Sequence, residues 1–251
     1  MRILSPRSAL ALLLVLGPAS GLGSLQGAPV PPAEYAPLLV PYLGANHAAT
    51  APPVPAPAPD YALEIGPFPA PGSDRAKADQ AILLWLQRSR SREDIRRAES
   101  EVNLHLGLFS AATGRDLGSG QFPLTEGLVE QAVAFARPVV SSLKRRFARP
   151  RPYEVIPGLA PAITRENSFS YPSGHSTWGT LVSSILMQLE PQAREAILER
   201  GLQVGFDRAL GGVHYPSDVE ASQHLGFVLA RAWLADPGNR LRLEQVRTAE
   251  W

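Results

Sequence analysis

From Ser73 onward, apolar residues recur at helical spacing and period-two alternation is scarce. "SDRAKADQAILLWLQRS" predicts one helix. "SREDIRRAESEVNLHLGLF" predicts a second, opened by a capping box of Ser91 and Asp94. "TEGLVEQAVAFARPVVSSLKRRF" predicts a longer helix, with Pro138 as the place for a kink. "SGHSTWGTLVSSILMQL" is largely apolar and predicts a buried helix. "PQAREAILERGLQVGFDRAL" carries Pro191 near its first turn, where proline is tolerated. "SDVEASQHLGFVLARAWLAD" and "PGNRLRLEQVRTAE" complete the series. The expected class is all-α: a single compact domain of about six or seven helices around a buried central one.

The pattern differs before Ser73. Residues 1–27 combine the basic "MRILSPR", the short apolar "SALALLLVLG" and the small residues of "PASGLG". That is the three-part layout of a secretory signal peptide, with cleavage expected between Ala19 and Ala28. The apolar run falls short of the ~20 residues a membrane span needs. Residues 28–72 are rich in proline and alanine, most of all in "APPVPAPAPD", and read as an extended arm, either solvated or draped over the domain. Residues 73–251 form the helical domain. No later segment is long and apolar enough to cross a bilayer, so a periplasmic protein without stable membrane insertion is expected.

Composition narrows the chemistry. With 45% apolar and 19% charged residues, the 251-residue chain can bury a core. A net charge of +1 gives no bulk attraction for nucleic acid, so any anion preference must be local. The lack of cysteine removes disulfides, thiolate catalysis and Cys-based zinc sites together.

Three clusters carry candidate chemistry. In "LKRRFARPRPY", five of the eight residues from Lys144 to Arg151 are basic, and Lys144 is one of two lysines in the chain. A lysine aims a compact charge, whereas arginine offers a planar fork to phosphate oxygens. A helical path would set Lys144 and Arg151 on one face, and Pro150 and Pro152 hold Arg151 in an extended exit. In "SYPSGHST", Ser173 can cap a helix that Gly174 opens, so the N–H groups of Gly174 and His175 make an anion site; an ordinary capped helix fits as well. In "GGVHYPSD", preceded by Arg208, the stretch "SDVE" reads as a capping box of Ser217 and Glu220. Asp218 then falls at the first helical position, with His214 folded back towards it as a base towards its orienter. Metal binding by His175, His214, Asp218 and His224 is the alternative; Lys144, Arg151 and Arg208 would oppose a cation.

Together the clusters resemble the signature of the type-2 phosphatidic acid phosphatase superfamily. Its three parts read here as Lys144 to Arg151-Pro152, Pro172-Ser173-Gly174-His175, and Arg208 to His214 to Asp218. The signal-bearing helical layout is similar to bacterial class A non-specific acid phosphatases. Asp207 departs from the pattern, standing where that family has a serine: it either faces the pocket or pairs with a neighbouring arginine. The resemblance implies a metal-free phosphatase needing no cofactor. Lys144, Arg151, Arg208, Ser173 and Gly174 would hold phosphate, His214 would be the nucleophile oriented by Asp218, and His175 the general acid and base. A bell-shaped pH profile with an acidic to near-neutral optimum follows. The implied partners are small phosphorylated substrates and inorganic phosphate, with homo-oligomerisation left open. Lipid-phosphate or pyrophosphate hydrolysis, a vanadium-dependent haloperoxidase and a non-catalytic phosphate binder stand as alternatives.

Overall fold

The computed structural model describes residues 60–251; the signal-peptide expectation and most of the arm lie outside the described residues. The elements are α1 (Tyr61–Ile65), α2 (Asp74–Ser89), α3 (Arg92–Ser100), α4 (Ser110–Thr113), α5 (Pro123–Phe147), α6 (Pro152–Val155), α7 (Gly174–Leu189), α8 (Arg194–Leu210), α9 (Pro216–Ala235) and α10 (Pro237–Glu250). Single 3-10 turns lie at Leu106–Phe109 and Pro191–Ala193. The described residues are all-α, and seven of these helices have nine residues or more.

Helix α7 is the centre. Val182, Ile185 and Leu186 are wholly buried, each contributing about 1.5–3 kcal/mol of burial. They join α5, α9 and α10 in the main core through Leu128, Leu225, Leu229 and Leu243. Two glycines let the neighbouring helices approach. A Cβ at Gly179 would collide with the Gly201 carbonyl on α8, and one at Gly226 on α9 would collide with Thr180 Oγ1. The polar residues of α7 turn inward to main chain: Ser183 Oγ donates to the Ile197 carbonyl (3.0 Å) and Thr180 Oγ1 to the Gln223 carbonyl (2.9 Å).

Two smaller apolar clusters grip the segment after α8. Leu83 and Leu86 of α2 pack with Ile156, Leu159, Ala209, Tyr215 and Val219. Ala98 of α3 packs with Ile163, Leu210 and Val213. His214 therefore sits on a stretch held from both sides. The last part of the proline-rich stretch joins the domain: Ala62 is buried in the main core, and the Tyr171 hydroxyl meets the Ile65 and Gly66 carbonyls at 2.9 and 2.8 Å.

Caps set most helix starts. Ser73 Oγ accepts from Ala76 N–H (3.2 Å), and the Ser91–Asp94 box forms as expected. Helix α5 runs through Pro138 unbroken. The single helix expected over Ser91–Phe109 is corrected: α3 stops at Ser100. Glu101 is fully buried against Arg200 (2.6 Å), and the Val102 carbonyl faces the His175 ring (3.2 Å). These tertiary partners outweigh local helical preference where β-branched Val102 and Asn103 offer little of it.

Candidate active site

The basic stretch leaves α5 through Ala148, whose left-handed backbone (φ 48°) closes the helix. Lys144 and Arg151 thus do not share a helix face. Arg151 occupies extended backbone (φ -70°, ψ 148°) before α6, so the proline-held exit brings it to the site. Its buried guanidinium donates to the Val213 carbonyl (2.8 Å), the Ser168 carbonyl (2.7 Å), Ser168 Oγ (3.0 Å) and Glu166 Oε2 (2.7 Å). Lys144 Nζ donates to the Phe169 carbonyl.

Arg151 Nη1 also lies 2.9 Å from His214 Nε2. A guanidinium can only donate, so Nε2 accepts and the ring proton of neutral His214 rests on Nδ1, 3.3 Å from Asp218 Oδ2. Burial first, and then the Arg151 charge, pushes the imidazole pKa well below its usual value. His214 is thereby a neutral base with its lone pair on the Nε2 edge.

Asp218 is placed differently from the expectation. The helix starts at Pro216, so Asp218 is the third helical residue, and its Oδ2 accepts from Tyr215 N–H (3.0 Å). Ser217 and Glu220 form no box, because each has a stronger charged partner: Ser217 donates to Asp79 and Glu220 pairs with Arg75. Asp218 further accepts from Ser170 Oγ (2.5 Å) and Arg149 Nη1 (2.5 Å).

Helix α7 brings the remaining pieces. The Tyr171–Pro172 peptide is cis, and Ser173 caps α7 by accepting from Ser176 N–H at 3.3 Å, while its own N–H donates to Ser222 Oγ at 2.6 Å. Gly174 has open space where a Cβ would stand, so a ligand can approach the first turn. His175 Nε2 lies 3.2 Å from the Val102 carbonyl, leaving Nδ1 to face Glu166 Oε1 at 3.8 Å. Burial and the Arg208 charge lower its pKa to about 4.

Arg208, at the end of α8, is buried and donates through Nη2 to Glu166 Oε1 (2.6 Å), while its Nε and Nη1 have no hydrogen-bond partner. Burial and the Arg151 charge bring Lys144 down to about 8. Asp207 turns away from this pocket. It takes a two-pronged pair from Arg97 (2.8 and 2.9 Å) and a bond from Gln203 (2.9 Å). The named residues thus converge, except that Ser173 serves as a cap. Three cations, two histidines and a helix start surround one seat. Such a set suits an anion with several oxygens and a nucleophilic ring at its edge. Among the described residues no three His, Asp or Glu side chains are grouped to hold a metal ion. His224 pairs with Glu64 at 3.7 Å.

Several contributors escaped sequence reading. Glu166, Ser168 and Ser170 lie in the irregular stretch before "YPSGH", where no periodicity marks them. Arg149 lay inside the basic run, but its partners, Asp218 and Asp79, come from distant helices. Asp79 did leave a signal: it shares the apolar stripe of α2 with Leu83 and Leu86, four and seven residues on, and is 1% exposed.

The architecture and the site define an all-helical protein built around a histidine-edged anion seat, and comparison with known proteins gives that class its name. Residues 129–242 match the PAP2 superfamily, and the chain carries a PAP2 superfamily domain. Among its relatives is a non-specific acid phosphatase of Salmonella typhimurium, 27% identical over 145 residues, or 56% of this chain and 58% of that protein. Another is an acid phosphatase of Zymomonas mobilis, 28% identical over 186 residues, covering 70% and 68% of the two chains. The alignment thus spans under two thirds of the Salmonella protein. A transmembrane PAP2-type phosphatidylglycerolphosphate phosphatase from Bacillus subtilis shares the fold, with a TM-score of 0.50 and 22% identity over 64% of this chain and 85% of that one. Among the described residues here, no helix is long and apolar enough to cross a membrane.

Proposed function

We propose that this protein is an exported acid phosphatase that hydrolyses small phosphomonoesters through a phosphohistidine, without a metal. One observation carries the reading: Lys144, Arg151 and Arg208 converge beside the neutral Nε2 edge of His214, with His175 on the same pocket.

In the proposed first step, the phosphoryl oxygens take the guanidinium donors and the open first turn of α7. The His214 Nε2 lone pair forms a bond to phosphorus as the bond to the leaving oxygen breaks. His175, which takes up a second proton on Nδ1 when the negative phosphoryl group binds beside it, gives that proton to the leaving alkoxide. In the second step neutral His175 takes a proton from water, the water oxygen bonds phosphorus, and the P–N bond breaks to release phosphate. Asp218 keeps the His214 proton on Nδ1 and stabilises the charge that the ring gains.

Hydrolysis of a chromogenic phosphomonoester in the presence of a chelator tests this. The chelator should leave the rate unchanged, and His214→Ala should lower kcat by about a thousandfold or more. Loss of activity in chelator would overturn the metal-free route, and full activity of the variant would remove His214 as nucleophile. Tight phosphate binding without turnover would favour a binding protein instead. Export is tested by the N-terminal sequence of the mature protein, expected to begin after Ala19 and no later than Ala28.

A further inference from the structure

The anion seat already holds an anion, and it belongs to the chain. Glu166 spans the two buried arginines, with Oε2 2.7 Å from Arg151 Nη2 and Oε1 2.6 Å from Arg208 Nη2. Its neighbours complete the cover: Ser168 bonds Arg151 through its carbonyl and hydroxyl, and the Phe169 carbonyl takes Lys144. The Tyr153 hydroxyl pins the segment by donating to the Glu166 carbonyl (2.9 Å). Only Arg208 keeps buried donors to spare, its Nε and Nη1. A phosphoryl group entering by those donors meets the Glu166 carboxylate at once.

We propose that Glu166 is a specificity-determining residue which selects singly charged, protonated phosphoryl groups over doubly charged ones. The proposal rests on the anion-seat reading above. An ionised carboxylate only accepts hydrogen bonds, so it can share the two arginines with an oxygen that carries a proton. A fully deprotonated oxygen in the same place meets like charge without a hydrogen bond. A phosphomonoester passes from one form to the other at about pH 6, so the residue favours the form present in acid.

The groups facing Glu166 keep it ionised. They are Lys144 and Arg151 from α5 and its exit, Tyr153 from α6, His175 from α7, Arg208 from α8 and His214 ahead of α9, with Arg165 beside it on its own segment. Burial alone would raise its carboxyl pKa. The Arg151 and Arg208 charges outweigh burial and hold it well below the usual range.

Calorimetric titration with two anions tests this at one pH. At about pH 5, inorganic phosphate carries one charge and two protons, whereas sulfate carries two charges and no proton. Wild type should bind phosphate more tightly. Glu166→Gln should tighten sulfate by about tenfold or more and phosphate by much less, and Glu166→Asp should keep the preference. The same phosphate-to-sulfate ratio in wild type and Glu166→Gln would overturn the inference alone. Failure of wild type to bind phosphate at all would overturn the anion-seat reading, and this inference with it. A check without any variant uses wild type as pH rises through the second phosphate ionisation: phosphate binding should weaken relative to sulfate, and a constant ratio would again overturn the inference.

Discussion

The two edges of the His214 ring meet two arginine–carboxylate clusters of opposite make-up. On the Nδ1 side, one arginine serves two aspartates: Arg149 joins Asp218 and Asp79 (2.5 and 3.1 Å), with every side chain 5% exposed or less. The extra negative charge is absorbed by local donors, namely Tyr215 N–H, Ser217 N–H and the Ser170 and Ser217 hydroxyls. Arg149 also stacks on the Tyr215 ring at 3.6 Å. On the Nε2 side the ratio is reversed. Two arginines share Glu166, which is 29% exposed, and Arg208 retains buried donors with no partner. A buried cluster with its surplus charge satisfied is scaffold, whereas one whose surplus cation is left unsatisfied has kept a place for a ligand.

Removing one arginine from each cluster should separate these roles. Arg149→Met leaves Asp218 and Asp79 buried without a cation, which costs about 3–5 kcal/mol. For a domain of this size that lowers Tm by roughly 6–20 °C, measurable by circular dichroism. Arg208→Met should do the opposite: Tm changes little, because Glu166 keeps Arg151 and reaches water, but kcat/KM falls by about 10²–10³. If both variants lost mainly stability, or both mainly activity, the division into scaffold and seat would be wrong.

Acid should act on the open side first. His175, lowered to about 4, and His214, lowered well below its usual value, are neutral and buried in the folded protein but ordinary histidines when unfolded. Their folded pKa values lie below the unfolded value of 6.5, so their contribution to stability is complete above about pH 6.5 and is lost as pH falls, through about 4 in the case of His175. Glu166, also depressed, adds a loss below the usual carboxylate range. Phosphate should blunt this loss, since a protonated histidine can pair with bound anion. Thermal melts from neutral pH down to about pH 4, with and without phosphate, check it; the same acid slope in both would mean that these histidines do not face the ligand.

The sequence disclosed the open cluster far better than the sealed one. Lys144, Arg151, His175, Arg208 and His214 stand at readable spacings because the chemistry fixes their types, and the helices around them follow apolar periodicity. The sealed cluster joins α2, the α5 exit and the start of α9, a meeting of parts 68 to 138 residues apart that no local pattern encodes. Asp218 shows the limit clearly. Its role as partner of His214 was legible, but its helix position was misassigned because "SDVE" fits a capping box that Asp79 and Arg75 dissolve from elsewhere in the fold. Glu166 was invisible for a different reason: it lies in a loop, and only the folded chain shows that its carboxylate ends between two arginines.

The smallest effect is expected at Asp207, one residue from Arg208 yet part of a third, scaffold-like pair with Arg97. Its carboxylate is fully buried and its oxygens are taken by Arg97 and Gln203, so Asp207→Ser should change kcat/KM by less than about threefold. Stability should fall by about 1–3 kcal/mol, because a half-buried guanidinium loses its two-pronged partner. That loss should depend on pH in a defined sense. Burial first, and then the Asp207 charge, raises the nearby Glu101 to about 7, so Glu101 destabilises the fold increasingly as pH rises from its unfolded value of 4.5 through about 7. Removing Asp207 relieves part of that cost only where Glu101 is ionised. The drop in Tm should therefore be larger at about pH 5 than at about pH 8. A tenfold gain in substrate affinity on Asp207→Ser would instead mean that its charge reaches the seat, and the line drawn between scaffold and seat would have to move to include α8's last turn.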